Sequence, residues 1–232
     1  RVRRALSLAL DRGAITERIM EGTAIPSAQF LPDGGFGFVP ALTPLRADAE
    51  AARRLLAEAG FPQGFRITLH GPNDRYPNDA RIIQAIGQMW TRIGVRTTIE
   101  AQPWTTFIAR AARQELSTFL IGWGTSGEGT NPLRNLVATF DREKGYGASN
   151  RGRYSNARVD ALTDAAMREI DDPKRMAIIQ EATTIAMEDV GIAPLHIQRN
   201  AWAMRRGLTI EGRADELTRA QDIRPIAAGA VR

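Results

Sequence analysis

Apolar residues recur along this chain with two different periods, and the switches between them outline an α/β lobe. Val2, Ala5, Leu6, Ala9 and Leu10 keep helical spacing, and Asp11 predicts the cap of a second short helix through Ile15 and Ile19. From Glu21 to Pro44 no period holds, and Pro26, Pro32, Gly34, Gly35, Gly37, Pro40 and Pro44 interrupt any regular element. An irregular stretch of that length is usually functional or packed on a neighbour. Asp48 predicts the cap of a helix from Ala49 to Ala59, stopped by Gly60.

A β-α-β-α-β alternation follows. Phe65 to His70 alternates as a strand, and Asn78 opens a helix whose Ile82, Ile86, Met89, Trp90 and Ile93 form one apolar stripe up to Gly94. Val95 to Ala101 is the second strand, Trp104 to Arg113 a helix, and Thr118 to Trp123 the third strand. Then come a glycine-rich loop closing on Asn131-Pro132, a short helix from Leu133 to Thr139 and a polar loop from Asp141 to Tyr154. Two amphipathic helices are predicted, Ala157 to Ile170 and Pro173 to Asp189, divided by Asp171-Asp172, and Ile192 to Gln198 reads as one more strand. The last twenty or so residues have no strong period. The fold class is α/β with a mixed sheet.

The loop after the third strand is the most informative feature. In open α/β sheets ligands lie beyond the carboxyl ends of strands, and here Trp123 stands at such an end, followed by free backbone groups. Gly122, Gly124 and Gly127 match G-x-G-x-x-G, but Glu128, Gly129 and Thr130 intervene before the next helix, and Trp123 would crowd a pyrophosphate. Ser126 is followed by Gly127 and Glu128, the wrong order for a nucleophile elbow. The two histidines, His70 and His196, both fall in strands, where a hydrogen-bonded structural role is the ordinary one. With no H-E-x-x-H and no carboxylate-rich metal loop, neither catalysis nor a metal nor a cofactor is expected. Trp90 belongs to the core stripe, whereas Trp104 and Trp123 sit at strand ends where an aromatic face can stack on a ligand.

Composition narrows the class further. The chain has 232 residues, 43% of them hydrophobic, which suits one or two lobes with a real core. There are no cysteines, so disulfides and thiolate chemistry are excluded, and no apolar run is long enough to cross a bilayer. The net charge of +5 is carried almost wholly by arginines dispersed among acidic partners, as in the Glu50–Arg54 spacing. That is a solvated helix face and not a nucleic-acid footprint. The chain starts at Arg1, already inside a helical pattern, and reads as a piece of something longer whose export signal would lie upstream.

Several blocks, in order, resemble one family. Val2 to Ile15, Ala51 to Pro62 with Gly64-Phe65, Trp90 to Val95, Trp104 with Phe107, Gly122-Trp123, Arg153 to Asn156 with Val159 to Leu162, and Ile192 to Leu195 are similar to the peptide/nickel class of extracellular solute-binding proteins. The resemblance covers nearly all of residues 1–210. It implies the C-terminal lobe of a two-lobed, periplasmic-binding-protein-like receptor, with residues 211–232 packing on an N-terminal lobe of the same protein. It also implies a periplasmic or membrane-associated extracellular location, a small peptide or peptide-like solute, an ABC-importer permease as partner, and no enzymatic activity. Pocket positions carried over are Trp104, Trp123, Gly124, Thr125, Ser126 and Glu128. In peptide-binding members an Asp three residues beyond the Trp pairs with the ligand's α-ammonium; Ser126 stands there in this chain. Either Glu128 takes over that pairing or the ligand has no free amine. A sensor ectodomain built on the same lobe and an α/β hydrolase using Ser126 are the alternative readings.

Overall fold

The computed structural model describes residues 1–124, 127–213 and 216–226, and in it most of the period changes become element boundaries. In chain order these are α1 (Val2–Leu8), α2 (Arg12–Ala14) running into a π turn (Ile15–Ile19), β1 (Ala24–Pro26), α3 (Ala49–Glu58), β2 (Arg66–Pro72), α4 (Asp79–Arg92), β3 (Arg96–Gln102) and α5 (Trp104–Ala112). There follow α6 (Thr130–Pro132) running into a second π turn (Leu133–Val137), α7 (Ala157–Ala166), α8 (Asp172–Glu188), β4 (His196–Gln198), β5 (Leu208–Ile210) and β6 (Ile223–Pro225). The caps are local chemistry: the side chains of Asp11, Asp48, Asn156 and Asp171 each accept from a backbone N–H in the first turn of the next helix.

The strands divide among three two-stranded sheets, with both parallel and antiparallel pairing. β2 and β3 run parallel, Arg66 opposite Arg96 through Pro72 opposite Gln102, joined through α4. The third predicted strand shrinks to one bridge, Phe119 beside His70 on the free side of β2. His70 N donates to Thr118 O and Leu120 N to His70 O, and the next donor in that ladder would be Pro72, which has no N–H. β1 was hidden in the irregular stretch and pairs antiparallel with β4, Ile25 opposite Ile197. β5 and β6 pair as a hairpin in the C-terminal segment that showed no period.

Two main cores result. Ala5, Leu6, Leu10, Leu56, Ile82, Ile83, Ile86, Trp90 and Val95 pack α1, α3 and α4 onto the parallel pair. The indole N–H of Trp90 donates to Leu6 O at 3.0 Å. Leu133, Val137, Val159, Leu162, Ile179 and Ala182 join α7 and α8 to the π turn. A smaller cluster of Phe107, Ala111 and Leu116 lies under α5. Arg12, almost fully buried, ties the first helices to the approach to β4: its guanidinium donates to Pro194 O at 2.7 Å and to Ser7 O and Oγ. Burial holds it below the usual guanidinium range. The irregular 21–44 stretch is organised by Gln29, whose amide exchanges two 2.8 Å bonds with Val39 N and O.

Candidate functional site

The carboxyl ends of β2 and β3 open onto the loop Asn73–Asn78 and the start of α5. Two carboxylates fix that loop. Buried Asp79 accepts from Arg75 N and Tyr76 N at 3.0 Å each, and Asp74 Oδ1 accepts from Trp104 N at 2.7 Å. Asp74 thereby caps α5, whose own N-cap residue, Pro103, has no side-chain acceptor. With the backbone held, the side chains of Arg75 and Tyr76 stand at the strand ends beside Trp104. The Tyr76 and Trp104 rings meet edge-on at 5.9 Å, and the Arg75 guanidinium lies 5.3 Å from the first and 5.4 Å from the second.

Tyr76 links this corner to the strand end at Gly122-Trp123. Its hydroxyl donates to Gly122 O at 3.3 Å, and its ring lies 2.8 Å from where a Gly122 Cβ would stand. Trp123 is 40% exposed, and its indole N–H donates to Asn131 Oδ1 at 3.0 Å. Gly124 is exposed. Thr125 and Ser126 lie outside the described residues.

The loop then turns away from the aromatic corner. Gly127 O accepts from Phe36 N at 2.8 Å, and Gly129 N donates to Phe36 O at 3.0 Å, so Glu128 bridges Phe36 in parallel register. The Glu128 carboxylate faces α8: Oε1 takes a 2.8 Å bond from Arg175 Nη2, and Oε2 accepts from Thr130 N and Thr130 Oγ1. Arg175 in turn lies 5.4 Å over the Phe36 ring. Of the expected site residues, Trp104 meets the Tyr76 ring and Trp123 directly follows Gly122, which Tyr76 binds, whereas Glu128 is engaged in holding the loop. Sequence reasoning missed Arg75, Tyr76, Phe36 and Arg175. The strand-end rule that selected Trp104 would also have found Arg75 and Tyr76, which follow the end of β2.

Both histidines keep strand positions. His70 in β2 sits 3.0 Å from Glu100 Oε2, which Arg110 also contacts at 3.0 Å. Burial lowers the His70 pKa below the usual 6.5; Glu100 opposes that shift and Arg110 adds to it. Burial lowers His196 likewise. Among the described residues no three His, Asp or Glu side chains cluster to hold a metal, and no helix is long and apolar enough to cross a membrane. Two open hollows lie along α4: one of about 320 Å³ between α4 and β3, lined by residues such as Gly87, Thr97 and Ile99, and one of about 360 Å³ beside Ile19 and Arg81. They sit away from the strand ends and lack convergent aromatics. The aromatic corner has the chemistry of holding: ring faces, one guanidinium and free backbone groups.

Comparison with known proteins identifies the family. The model for bacterial extracellular solute-binding proteins, family 5 (middle region), matches residues 1–144. Heme-binding protein A of Haemophilus influenzae is 30% identical over 211 residues, covering 84% of this chain and 37% of that protein. The dipeptide-binding protein of Escherichia coli is 28% identical, covering 80% of this chain and 35% of that protein. Among solved structures, the murein tripeptide binding protein MppA in its unliganded open form superposes with a TM-score of 0.79 at 25% identity, over 97% of this chain and 44% of that one. HbpA2 from Haemophilus parasuis superposes with a TM-score of 0.83 at 24% identity, over 97% and 45%. The chain therefore spans less than half the length of these relatives.

Proposed function

Because the chain belongs to the bacterial extracellular solute-binding proteins of family 5, we propose that it is the C-terminal lobe of an ABC-importer receptor for a peptide or peptide-like solute. Residues 1–210 form the lobe. Residues 211–232 pack on the N-terminal lobe of the same protein, which the exposed Ile223 supports. The whole receptor closes on its solute in the periplasm and presents the closed form to a membrane permease, without chemical change to the solute.

The observation that carries this reading is Arg75. Its guanidinium lies over two aromatic rings at the strand ends, and among the described residues no carboxylate stands within ion-pair distance. A guanidinium so placed is a fork for a solute carboxylate. Trp104 and Trp123 supply apolar walls, Gly124 and Thr125 offer backbone groups, and Ser126 offers a hydroxyl without charge. Glu128 acts one step back, holding the loop against α8. The lobe offers only one side of the site, so affinity depends on closure. Native mass spectrometry of the gently purified full-length protein tests this. A set of co-purified peptide masses supports the peptide reading; one discrete non-peptide mass, or turnover of an added ester or peptide, overturns it.

A further inference from the structure

The two strand-end tryptophans are held in different ways. Trp104 sits among rings, its centroid 5.9 Å from Tyr76 and 5.9 Å from Phe107. Trp123 is flanked in sequence by Gly122 and Gly124, which bring no side chains to steady it. Among the described residues it makes no ring contact of the kind that fixes Trp104. What sets its plane is one bond, from the indole Nε1 to Asn131 Oδ1 at 3.0 Å.

The acceptor belongs to a residue whose backbone is clamped on both sides. Thr130, before it, is buried, and its N and Oγ1 both donate to Glu128 Oε2. The other oxygen of Glu128 is bound by Arg175 of α8 at 2.8 Å. Pro132, after it, is buried with φ fixed at −65°, the value its ring imposes. The Asn131 carbonyl accepts from Asn135 Nδ2 at 2.9 Å. Asn131 itself is exposed, so its amide is an acceptor on a fixed base at the surface beside Trp123. An exposed aromatic that turns freely must be ordered when a solute settles on it, and that ordering weakens affinity; a ring already fixed avoids the loss.

We propose that Asn131 is a positioning residue of the solute site, setting the plane of the Trp123 ring before the solute arrives. The Glu128–Arg175 pair then acts on the solute through Thr130 and Asn131, without touching it. The inference rests on the solute-receptor reading above, with Trp123 as a wall of the site, and names what orients that wall.

Two measurements on the full-length protein test it. The first needs no solute: hydrogen exchange of the Trp123 indole N–H, its NMR signal assigned by its absence from Trp123→Phe. Exchange should quicken about threefold or more in Asn131→Ala and stay near the wild-type rate in Asn131→Asp, which keeps an oxygen acceptor. Unchanged exchange in Asn131→Ala overturns the proposal. The second is calorimetric titration with Ala-Ala, Ala-Leu and Ala-Ala-Ala. Asn131→Ala should weaken binding about three- to tenfold, the worth of one hydrogen bond, and Asn131→Asp less than about twofold. In a Trp123→Phe background, which has no indole N–H, Asn131→Ala should change affinity less than about twofold. An equal loss in both backgrounds would make Asn131 merely structural. That result, or unchanged affinity in a folded Asn131→Ala, overturns the proposal while leaving the peptide receptor in place. If none of the three peptides binds the wild-type protein, the peptide reading itself falls and this inference with it.

Discussion

The contact between Glu128 and Arg175 should hold the glycine-rich loop to the lobe, and its strength can be bracketed. The pair is 2.8 Å apart with side chains 25% and 29% exposed, between a surface pair and a sealed one. Exposed pairs are worth about 0–1 kcal/mol, and breaking a buried one costs about 3–5 kcal/mol. A coupling of about 1–2 kcal/mol is therefore expected, helped by the two bonds from Thr130 to the other carboxylate oxygen. The assay is a double-mutant cycle in the full-length protein, with Glu128→Gln, Arg175→Met and both together, read by urea unfolding. A coupling below about 0.3 kcal/mol would mean that the Glu128–Arg175 pair does not hold the loop. The cycle also decides between two roles for Glu128. A carboxylate held by Arg175 is not available to a ligand ammonium, so Glu128→Gln should weaken a free-amine peptide and its N-acetyl analogue alike. Selective loss of the free-amine peptide would refute that reasoning.

Three further outcomes follow from the geometry. Gly64→Ala should destabilise the protein by more than about 3 kcal/mol, because φ is +70° and the new Cβ would lie 1.9 Å from Gly94 O; Gly60→Ala, at φ +89° with open space, should cost only about 1 kcal/mol, and similar melting shifts for the two would contradict this. Stability should decline as pH falls from about 6.5, since His70 and His196 both have lowered pKa values: the unfolded chain binds protons first, so the contribution is full above 6.5 and is lost towards the folded values. Unfolding free energies that stay flat or rise between pH 7 and pH 5 would show the opposite linkage. Trp123→Ala in the full-length protein should weaken the co-purified solute by about 1–3 kcal/mol with little loss of stability, and unchanged affinity in a folded variant removes Trp123 from the site.

What the sequence made legible was local. The Ile82–Trp90 stripe of α4, the Asp48 and Asp171 caps and the alternation of β2 and β3 are set by neighbours within a few residues, and the structure places them within one to three residues of the expected bounds. What escaped was partnership at long range. The pairing of β1 with β4, the Gln29–Val39 exchange and the bridge between Phe36 and Glu128 have no period to announce them. The same division runs through the site. Trp104 and Trp123 were visible because strand ends border clefts, whereas the engagement of Glu128 by Arg175 joins residues 47 apart.

The glycines of the loop show how much of its composition the lobe itself requires. A Cβ at Gly122 would meet the Tyr76 ring at 2.8 Å, and one at Gly129 would meet Ile179 Cγ2 at 2.5 Å, so close approach within the lobe accounts for both. Gly127 has φ +87° and needs glycine for its backbone. Gly124 meets neither condition: its φ is unexceptional and nothing lies within 4 Å of a Cβ there. The lobe itself thus makes no demand for a bare backbone at Gly124, which leaves that exposed position open to close approach by the solute or by the lobe that closes over it. Gly124→Ala in the full-length protein should leave unfolding unchanged or slightly improved, by about 0.4–1 kcal/mol from the stiffer unfolded chain, while solute affinity drops. Unaltered affinity would place the solute away from the strand end at Trp123 and move the site towards Arg75 alone.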